Sequence, residues 1–598
     1  MVVSQKPSPG YNQYFLPEED LQYLPPYLRD VPETTTETQC TTAGTWPPWL
    51  KGTFVRLVYA KVEEEDRQKD LADGEYRIGP GRFTVPLSED GSKPRAIIQH
   101  FFDGLGMLHK FRMLDGNVHY TSRYTSEGVV RRAKRDGYLS TNVFGLNPNT
   151  PLKYTQDPCS ALLGAQQSLY LPNGYMEPDE INVNVVPRRG MHLPPDDNPH
   201  SKGPEAKDPA TEESAPIQVL VQTDFNLLQV CDARTLEPKR MLTYAQIDPE
   251  LSGYGICSHP PKDRTRGLTF NYLIDSEKGI MSVFALNIAS KPASLFWKTP
   301  LPCKPCYIHS LAMTDKYVVF IRNPVQMDVS DTTKPMSDML QFEPNTPTQF
   351  FVLNKNDGRH VATYAQKDGF MFFHSVNGYD YVDRQTGAVN IHIDLCSYEE
   401  TYPSYSEYSL SNIVDPARPL QDGTLVRYEM AGVDKADPSR IGRVTVAASI
   451  PGMACELPRI AKVASMDPNY RYVYCTAGNG GPSPGTTVPI GRLGNGLKVV
   501  QAAFFGSLAK SDWKTGTFKR WQPDNGESCP CEPVFVQRPG ATGEDDGIVL
   551  TIVIDREGTH SILIGLDGQT FEEVARADMP QVYALGPHGS FVEGNFGV

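Results

Sequence analysis

Short runs of strand-forming residues, parted by turn residues and nowhere interrupted by a long helical period, most constrain what this chain can fold into. GTFVRLVYA, AIIQHFF, NVHYTSRYT, IQVLVQTD, LTFNYLI, MSVFALNI, KYVVFIRN, TQFFVLN, GIVLTIVID and HSILIGLD recur along its whole length. A unit of strand, polar turn and strand accompanies them in VCDARTLEPKRML, VLNKNDGRHVATY, YVDRQTGAVNIHI, SDWKTGTFKRW and IGLDGQTFEEVARA. Such a unit can bury its apolar face only against a neighbour, so these stretches predict the outer hairpins of successive β-propeller blades. Their spacing is uneven, roughly 30 to 130 residues, which predicts large insertions rather than a regular array. A pair of β-sandwiches is the alternative.

Composition points the same way. With 51 prolines, 49 glycines and 10% aromatic residues among 598, the chain is rich in turns and strand formers, and closed all-β folds often exceed ordinary domain size as one unit. Residues 1–45, polar and Pro-rich, read as an extended N-terminal arm. A single propeller domain is expected over 46–598, starting near Trp46. Within it RRGMHLPPDDNPHSKGPEAKDPATEESAP (188–216) is charged and almost devoid of apolar residues, so a disordered surface loop is expected there. His192 and His200 are set aside as ligands for that reason. The Gly-rich run 478–496 lacks the GK[ST] ending of a phosphate cradle and reads as a loop.

The net charge of −14 and the absence of a basic run interleaved with aromatics argue against a nucleic-acid groove or an anionic membrane surface. A small apolar ligand fits better. No basic segment followed by an apolar core opens the chain, and no apolar stretch is long enough to span a bilayer, so a cytoplasmic protein is expected. Eleven cysteines, an odd number, are expected as reduced thiols. Cys303 and Cys306 lie near His309, but there is no second CxxC to complete a zinc site, and Cys529 and Cys531 read as buried or incidental.

Four of the twelve histidines sit at the edges of apolar runs or in tight turns: His259 before Pro-Pro, His309 in YIHS, His374 in FFHS and His588 in GPHGS. They are far apart in sequence. In a propeller that is natural, because the innermost strands of different blades all bring one end to a common axis. Neutral imidazoles gathered there would suit a divalent transition metal and leave positions open for dioxygen. Periodicity alone does not choose these four over His100, His109, His119, His360, His392 or His560.

Their flanks add what periodicity lacks. SHPPKDRTRGLTFNYL, IHSLAMTDKYVVF, FFHSVNGYD and the terminal PHGSF are similar to the four histidine segments of the carotenoid cleavage oxygenase family. GTFVRL, HFFDGLGMLHKFRM, ELPRI, EPVFV and EDDGIVL match further stretches, from about Trp46 to the C-terminus. The resemblance implies an all-β, seven-bladed β-propeller with a cap of loops and short helices enclosing an apolar tunnel. It also implies one Fe(2+) per chain, held on the axis by His259, His309, His374 and His588, with no catalytic side chain beyond the metal centre. Carboxylates that accept the remaining imidazole N–H groups are implied at Glu456 and Glu532, and at Asp224, where the family commonly has Glu. The shorter Asp224 predicts a longer or water-bridged hydrogen bond, and tolerance of Asp224→Glu.

The activity implied is insertion of both atoms of O2 across one C=C bond of a conjugated chain, giving two carbonyl products. The partners are then an apolar polyene and dioxygen, with peripheral contact to membranes or lipid bodies, while the oligomeric state stays open. HFFDGLGMLHKF looks closer to carotenoid-cleaving members than to stilbene-cleaving ones, and the chain resembles fungal enzymes that cleave torulene to an apocarotenal such as β-apo-4'-carotenal. Cleavage of β-carotene or an apocarotenoid to retinal, a resveratrol-type stilbene dioxygenase and a retinoid isomerase are the alternatives. Phe101, Phe102 and Phe373 are candidate tunnel walls, with core packing the other reading for the first two.

Overall fold

The computed structural model describes residues 16–50, 74–139, 144–145, 176–189, 191–202, 218–253, 255–275, 279–327, 337, 340–343, 345–398, 405–415, 423–478, 489–492, 498–500, 505–524, 526–583 and 585–592. Its strands form six sheets of four or more strands, and one of these, of eight strands, is two blades joined where His360–Gln366 pairs in parallel with Ile441–Ile450. Seven blades result, as expected.

From axis to rim, blade 1 is His588–Val592, Gly74–Arg82, Leu105–Leu114 and Asn117–Tyr124, and blade 2 is Val186–Arg189, Gln218–Gln222, Leu228–Asp232 and Pro238–Leu242. Blade 3 is Lys262–Asp263, Leu268–Ile274, Met281–Asn287 and Ser294–Pro300, and blade 4 is Ala312–Met313, Tyr317–Arg322, Thr348–Asn354 and His360–Gln366. Blade 5 is Met371–Val382, Val389–Tyr398, Thr424–Met430 and Ile441–Ile450, and blade 6 is Cys455–Arg459, Tyr472–Ala477, Ser507–Asp512 and Thr517–Trp521. Blade 7 is Val534–Gln537, Gly547–Ile554, Ser561–Asp567 and Glu573–Asp578.

Burial explains the continuous apolar runs. Blades cover one another on both faces, so Gly547–Ile554, Tyr317–Arg322 and Leu268–Ile274 are buried at every position, whereas the rim strands Ser294–Pro300 and Thr517–Trp521 alternate towards solvent. The core is accordingly a set of layers between neighbouring blades. Tyr76, Ile78 and Leu108 of blade 1 meet Val219, Val221 and Met241 of blade 2, and Leu220, Leu228 and Val230 meet Leu273, Phe284 and Leu286 of blade 3.

Blade 1 closes the ring, because the C-terminal strand His588–Val592 pairs with Gly74–Arg82, with Ile78 opposite His588. The arm expected over 1–45 needs correction on its described part. Thr38–Gln39 pairs with Asn117–Tyr124 at the rim of blade 1, and Thr41–Gly44 pairs with Glu573–Asp578 at the rim of blade 7. Leu16, Leu24, Tyr27, Leu28 and Cys40 are buried. Open strand edges at the closure point are thereby covered, and fold contacts begin well before Trp46.

The loop expected over 188–216 is also partly structured. Arg188 and Arg189 lie in the inner strand of blade 2, and Asn198 is buried, its Nδ2 donating to the Met176 carbonyl at 2.7 Å. Residues 190 and 203–216 of that stretch, and most of the Gly-rich run 478–496, lie outside the described residues. Helical structure among the described residues is limited to Glu127–Asp136, Leu410–Ile413 and short 3-10 turns, and no described helix is long and apolar enough to cross a membrane.

Candidate metal centre

The inner strands deliver seven side chains to one end of the axis, one from each blade or its leading loop. His588 comes from blade 1, Asp224 from the loop after the second strand of blade 2, and His259 and His309 from segments leading into blades 3 and 4. His374, Glu456 and Glu532 come from blade 5, blade 6 and the segment entering blade 7.

Local sequence aims each of them. His259 precedes Pro260, which keeps its backbone extended; its N–H donates to the His309 carbonyl at 3.3 Å, and it forms an isolated parallel bridge with Ser310. His374 sits in a register shift between Phe372 and Ser375, and Glu456 sits at another between Glu456 and Arg459. Such bulges turn side chains out of the regular alternation, which is why they gather at sites. His588 follows the close approach of Gly79 and Gly586, where a Cβ on Gly79 would lie 2.4 Å from the Gly586 Cα.

The imidazoles of His259, His309, His374 and His588 offer nitrogens that all lie within 4.8 Å of one another. The His259 and His588 Nε2 atoms are 3.1 Å apart, close to the separation of about 3.0 Å for two adjacent ligands each about 2.1 Å from one ion. Three of the four are braced from behind by carboxylates. His309 Nδ1 donates to Asp224 at 3.1 and 3.2 Å, His588 Nδ1 donates to Glu532 Oε1 at 3.0 Å, and His374 Nδ1 makes a short bond to Glu456 Oε2. A proton committed to Nδ1 leaves the Nε2 lone pair facing inward. Burial holds His259 well below its ordinary pKa, as do the neighbouring imidazoles; burial likewise brings His588 down to about 4, so both are neutral at physiological pH.

The carboxylates are ionised for the opposite reason. Burial pushes Asp224 up, but His309, Ser258 and Tyr307 outweigh it and hold it below its usual value. Glu456 is held down against burial by His374, the Leu457 N–H and Tyr398, and Glu532 falls to about 2 because Arg459 and His588 outweigh burial. His374 Nε2 is buried with no hydrogen-bond partner among the described residues, a costly arrangement unless something fills the centre. Inward-facing neutral imidazole nitrogens backed by anions suit a divalent transition metal, so the donor set fits the ion that the sequence implies.

Several contributors escaped the sequence. Tyr307 Oη donates to Asp224 Oδ2 at 3.0 Å, and Ser258 Oγ donates to Oδ1 at 2.7 Å. Tyr307 lies two residues before His309 on an extended segment, a spacing that could have flagged it. Tyr398 Oη donates to Glu456 Oε1 at 2.8 Å, and Arg459 donates to Glu532 Oε2 at 2.7 Å. The hydrogen bond at Asp224 is direct rather than water-bridged, and at 3.1 and 3.2 Å it is the longest of the three, with the carboxylate already engaged by Tyr307 and Ser258 as well. A Glu would have to push its head about one methylene further into this set, so the structure reverses the expected tolerance: Asp224→Glu should weaken metal binding about tenfold. Titration of metal-free protein with Fe(II) under anaerobic conditions checks it.

No carboxylate pairs with His259 among the described residues. Arg188 stands in through the backbone, its guanidinium donating to the Pro260 carbonyl at 2.7 Å and to the Ser258 carbonyl at 3.3 Å. Arg188→Ala should therefore lower metal affinity about tenfold with little change in the fold, measured by the same titration beside a circular dichroism spectrum.

Above the centre lies an aromatic cluster of Phe144, Tyr307, Phe373, Tyr398 and Tyr405, with Phe102, Phe225 and Tyr408 packed against it. Phe373 stands edge-on to the His309 ring at 5.9 Å between centroids and to Tyr405 at 5.6 Å. Phe102 stacks on Tyr408 at 4.8 Å. Phe101 differs: it is buried in a core cluster that joins the N-terminal segment, the helix Glu127–Asp136, Leu410–Ile413 and strands of blades 1 and 7, so it serves packing.

This arrangement has known counterparts. The family model described as retinal pigment epithelial membrane protein matches residues 28–593. The chain belongs to the carotenoid oxygenase family. Among curated members of this family, a carotenoid dioxygenase of Neurospora crassa is 25% identical over 570 residues, covering 86% of each chain. A torulene dioxygenase of Gibberella fujikuroi is 26% identical over 550 residues, covering 86% of this chain and 87% of the relative. Among solved carotenoid oxygenase structures, that of cobalt-substituted Synechocystis ACO superposes with a TM-score of 0.64 at 19% identity, over 96% of this chain and 98% of the other. The carotenoid oxygenase fold is thus shared over 96% of this chain.

Proposed function

We propose that the protein cleaves one C=C bond of a conjugated carotenoid, with torulene the leading substrate, using dioxygen at a single Fe(II) held by His259, His309, His374 and His588. The observation that carries this is the convergence of four imidazoles, three of them braced by ionised carboxylates, beneath an aromatic cluster. Held by these four neutral imidazoles, an iron(II) ion would supply the redox chemistry that lets dioxygen react with a spin-paired polyene. The balance is simple: R–CH=CH–R′ and O2 give R–CHO and R′–CHO, so no side chain need act as nucleophile or general base.

The chain's own residues position. Asp224, Glu456 and Glu532 fix the tautomer and orientation of three ligands, while Phe373, Tyr405 and Phe102 form an apolar wall against which a polyene can lie edge-on or stacked. Keeping water from that wall protects the reacting bond, and the placement of the polyene along it would select which bond reaches the metal. The resemblance of the fungal carotenoid and torulene dioxygenases over most of the chain supports the substrate class. An apolar polyene also supports peripheral contact with membranes or lipid bodies in the cytoplasm.

Anaerobic purification with metal analysis, then incubation in air with torulene, β-carotene and resveratrol, tests the proposal. One iron per chain and an apocarotenal from torulene are expected. Cleavage of resveratrol alone would move the protein to stilbenes, retinal from β-carotene would replace the substrate, and absence of iron would overturn the metal.

A further inference from the structure

Behind Glu456, on the side away from the metal centre, three buried cysteines of three different strands meet: Cys396 in blade 5, and Cys455 and Cys475 in blade 6. The Cys455 and Cys396 sulfurs are 3.5 Å apart. Their backbones are close as well. The Cys455 N–H donates to the Gly423 carbonyl at 2.8 Å, and a Cβ on Gly423 would lie 2.7 Å from the Cys455 carbonyl oxygen and 3.6 Å from the Cys396 carbonyl carbon. A disulfide requires its sulfurs at about 2.05 Å, a closure of about 1.5 Å that side-chain rotation supplies when two backbones run this close.

We propose that Cys396 and Cys455 are an oxidation site, closing to a disulfide under hydrogen peroxide and thereby loosening the hold of Glu456 on His374. The Cys455 thiolate attacks peroxide, breaking the O–O bond to give a sulfenic acid and, after protonation, water. The Cys396 thiol then displaces the sulfenic hydroxyl as a second water. Two thiols and one H2O2 become one disulfide and two H2O, the sulfurs losing two electrons and the peroxide gaining them. Hydrogen bonds from the Cys396 and Cys475 thiols hold the Cys455 pKa below the ordinary cysteine value, while burial pushes that of Cys396 up, which makes Cys455 the attacking sulfur.

The position of the pair gives the link its consequence. Cys455 directly precedes Glu456, and Cys396 lies two residues before Tyr398, whose hydroxyl donates to Glu456 Oε1 at 2.8 Å. Both strands that seat Glu456 are therefore drawn together by the bond. The segment has little slack, since Ala454 and Leu457, on either side of Cys455 and Glu456, already hold left-handed φ values of 56° and 51°. The bond itself stands apart from the iron reading, but its effect on metal retention rests on that reading.

The three cysteines fall on separate tryptic peptides, Gln385–Arg427, Val444–Arg459 and Tyr472–Arg492. The full chain, purified anaerobically and loaded with iron, is treated with hydrogen peroxide, unfolded in an alkylating reagent and mapped by mass spectrometry. The expected product joins the first two peptides and is released by dithiothreitol. Iron content should fall several-fold on treatment of the wild type and hold in Cys396→Ala. Free, alkylatable Cys396 and Cys455 after peroxide, or a link from Cys455 to Cys475, would overturn the site. A link without iron loss would overturn its effect on His374. A chain that never bound iron would instead overturn the iron reading, with the peptide map still deciding the bond.

Discussion

Replacing His309 by alanine abolishes iron retention and polyene cleavage, while His200→Ala changes neither. His309 is one of the four inward-facing imidazoles among the described residues, and its Nδ1 bonds Asp224, which Tyr307 and Ser258 also hold. Loss of an outer partner costs about 10–100-fold in metal affinity, so loss of the ligand costs more than that. The variant also leaves the Asp224 carboxylate nearly buried with only Tyr307 and Ser258 to satisfy it, a penalty of about 1–3 kcal/mol in the metal-free protein. His200 is exposed, its backbone N–H donating to Asn198 Oδ1 at 2.9 Å, and it lies outside the group of imidazoles at the centre. Metal analysis of both purified variants, beside oxygen uptake with a carotenoid, gives the answer. Normal iron in His309→Ala would remove it from the ligand set.

The fold was legible because its periodicity is local. Continuous runs such as GIVLTIVID and KYVVFIRN report strands covered on both faces, and four of the five strand–turn–strand units mark rim hairpins directly: Leu228–Leu242, Thr348–Gln366, Ser507–Trp521 and Ser561–Asp578. The fifth, YVDRQTGAVNIHI, departs from the outer-hairpin expectation, since Met371–Tyr398 pairs the first two strands of its blade. What stayed hidden is set by pairing across long separations. Nothing in TQCTTAG announces that it bridges the rims of blades 1 and 7, because edge strands are short and polar by necessity.

The site divides along the same line. The four histidines and Glu456 and Glu532 lie in motifs that travel with the family, so each could be named from its own flanks. Tyr398, Tyr405 and Arg188 reach the centre only through register and loop placement. Arg188 is the clearest case: it opens a charged, Pro-rich stretch whose composition indicates disorder, yet it lies in the inner strand of blade 2 and pins the carbonyls on either side of His259. Composition averages over a window, whereas a single residue at the window's edge belongs to the strand before it.

Glu532→Gln is expected to weaken the protein in two separable ways. Glu532 joins three elements at once: Oε1 accepts from His588 Nδ1 at 3.0 Å, and Oε2 accepts from Arg459 at 2.7 Å and from the Gly589 N–H at 2.8 Å. A glutamine can keep the first contact through its carbonyl oxygen, but its NH2 then faces two donors, leaving Arg459 without its anion. The native carboxyl titrates at about 2 against an ordinary 4.5. A depressed carboxylate stabilises the fold fully above about 4.5, and that contribution, about 3 kcal/mol, disappears as pH falls through about 2. His588, held at about 4 by burial against an ordinary 6.5, adds a separate loss as pH falls from 6.5 to 4, because the unfolded chain takes up that proton first. Metal-free wild-type protein should therefore lose stability in both windows, whereas Glu532→Gln should start about 3 kcal/mol lower at neutral pH and lack the fall between 4.5 and 2. Urea midpoints of the metal-free proteins across pH 2 to 7 test this, and iron affinity should drop about 10–100-fold as His588 loses its anionic anchor. Matching neutral-pH midpoints and matching acid profiles would show that Arg459 and Gly589 do not depend on the charge of Glu532, and the brace on His588 would then have to be its shape alone.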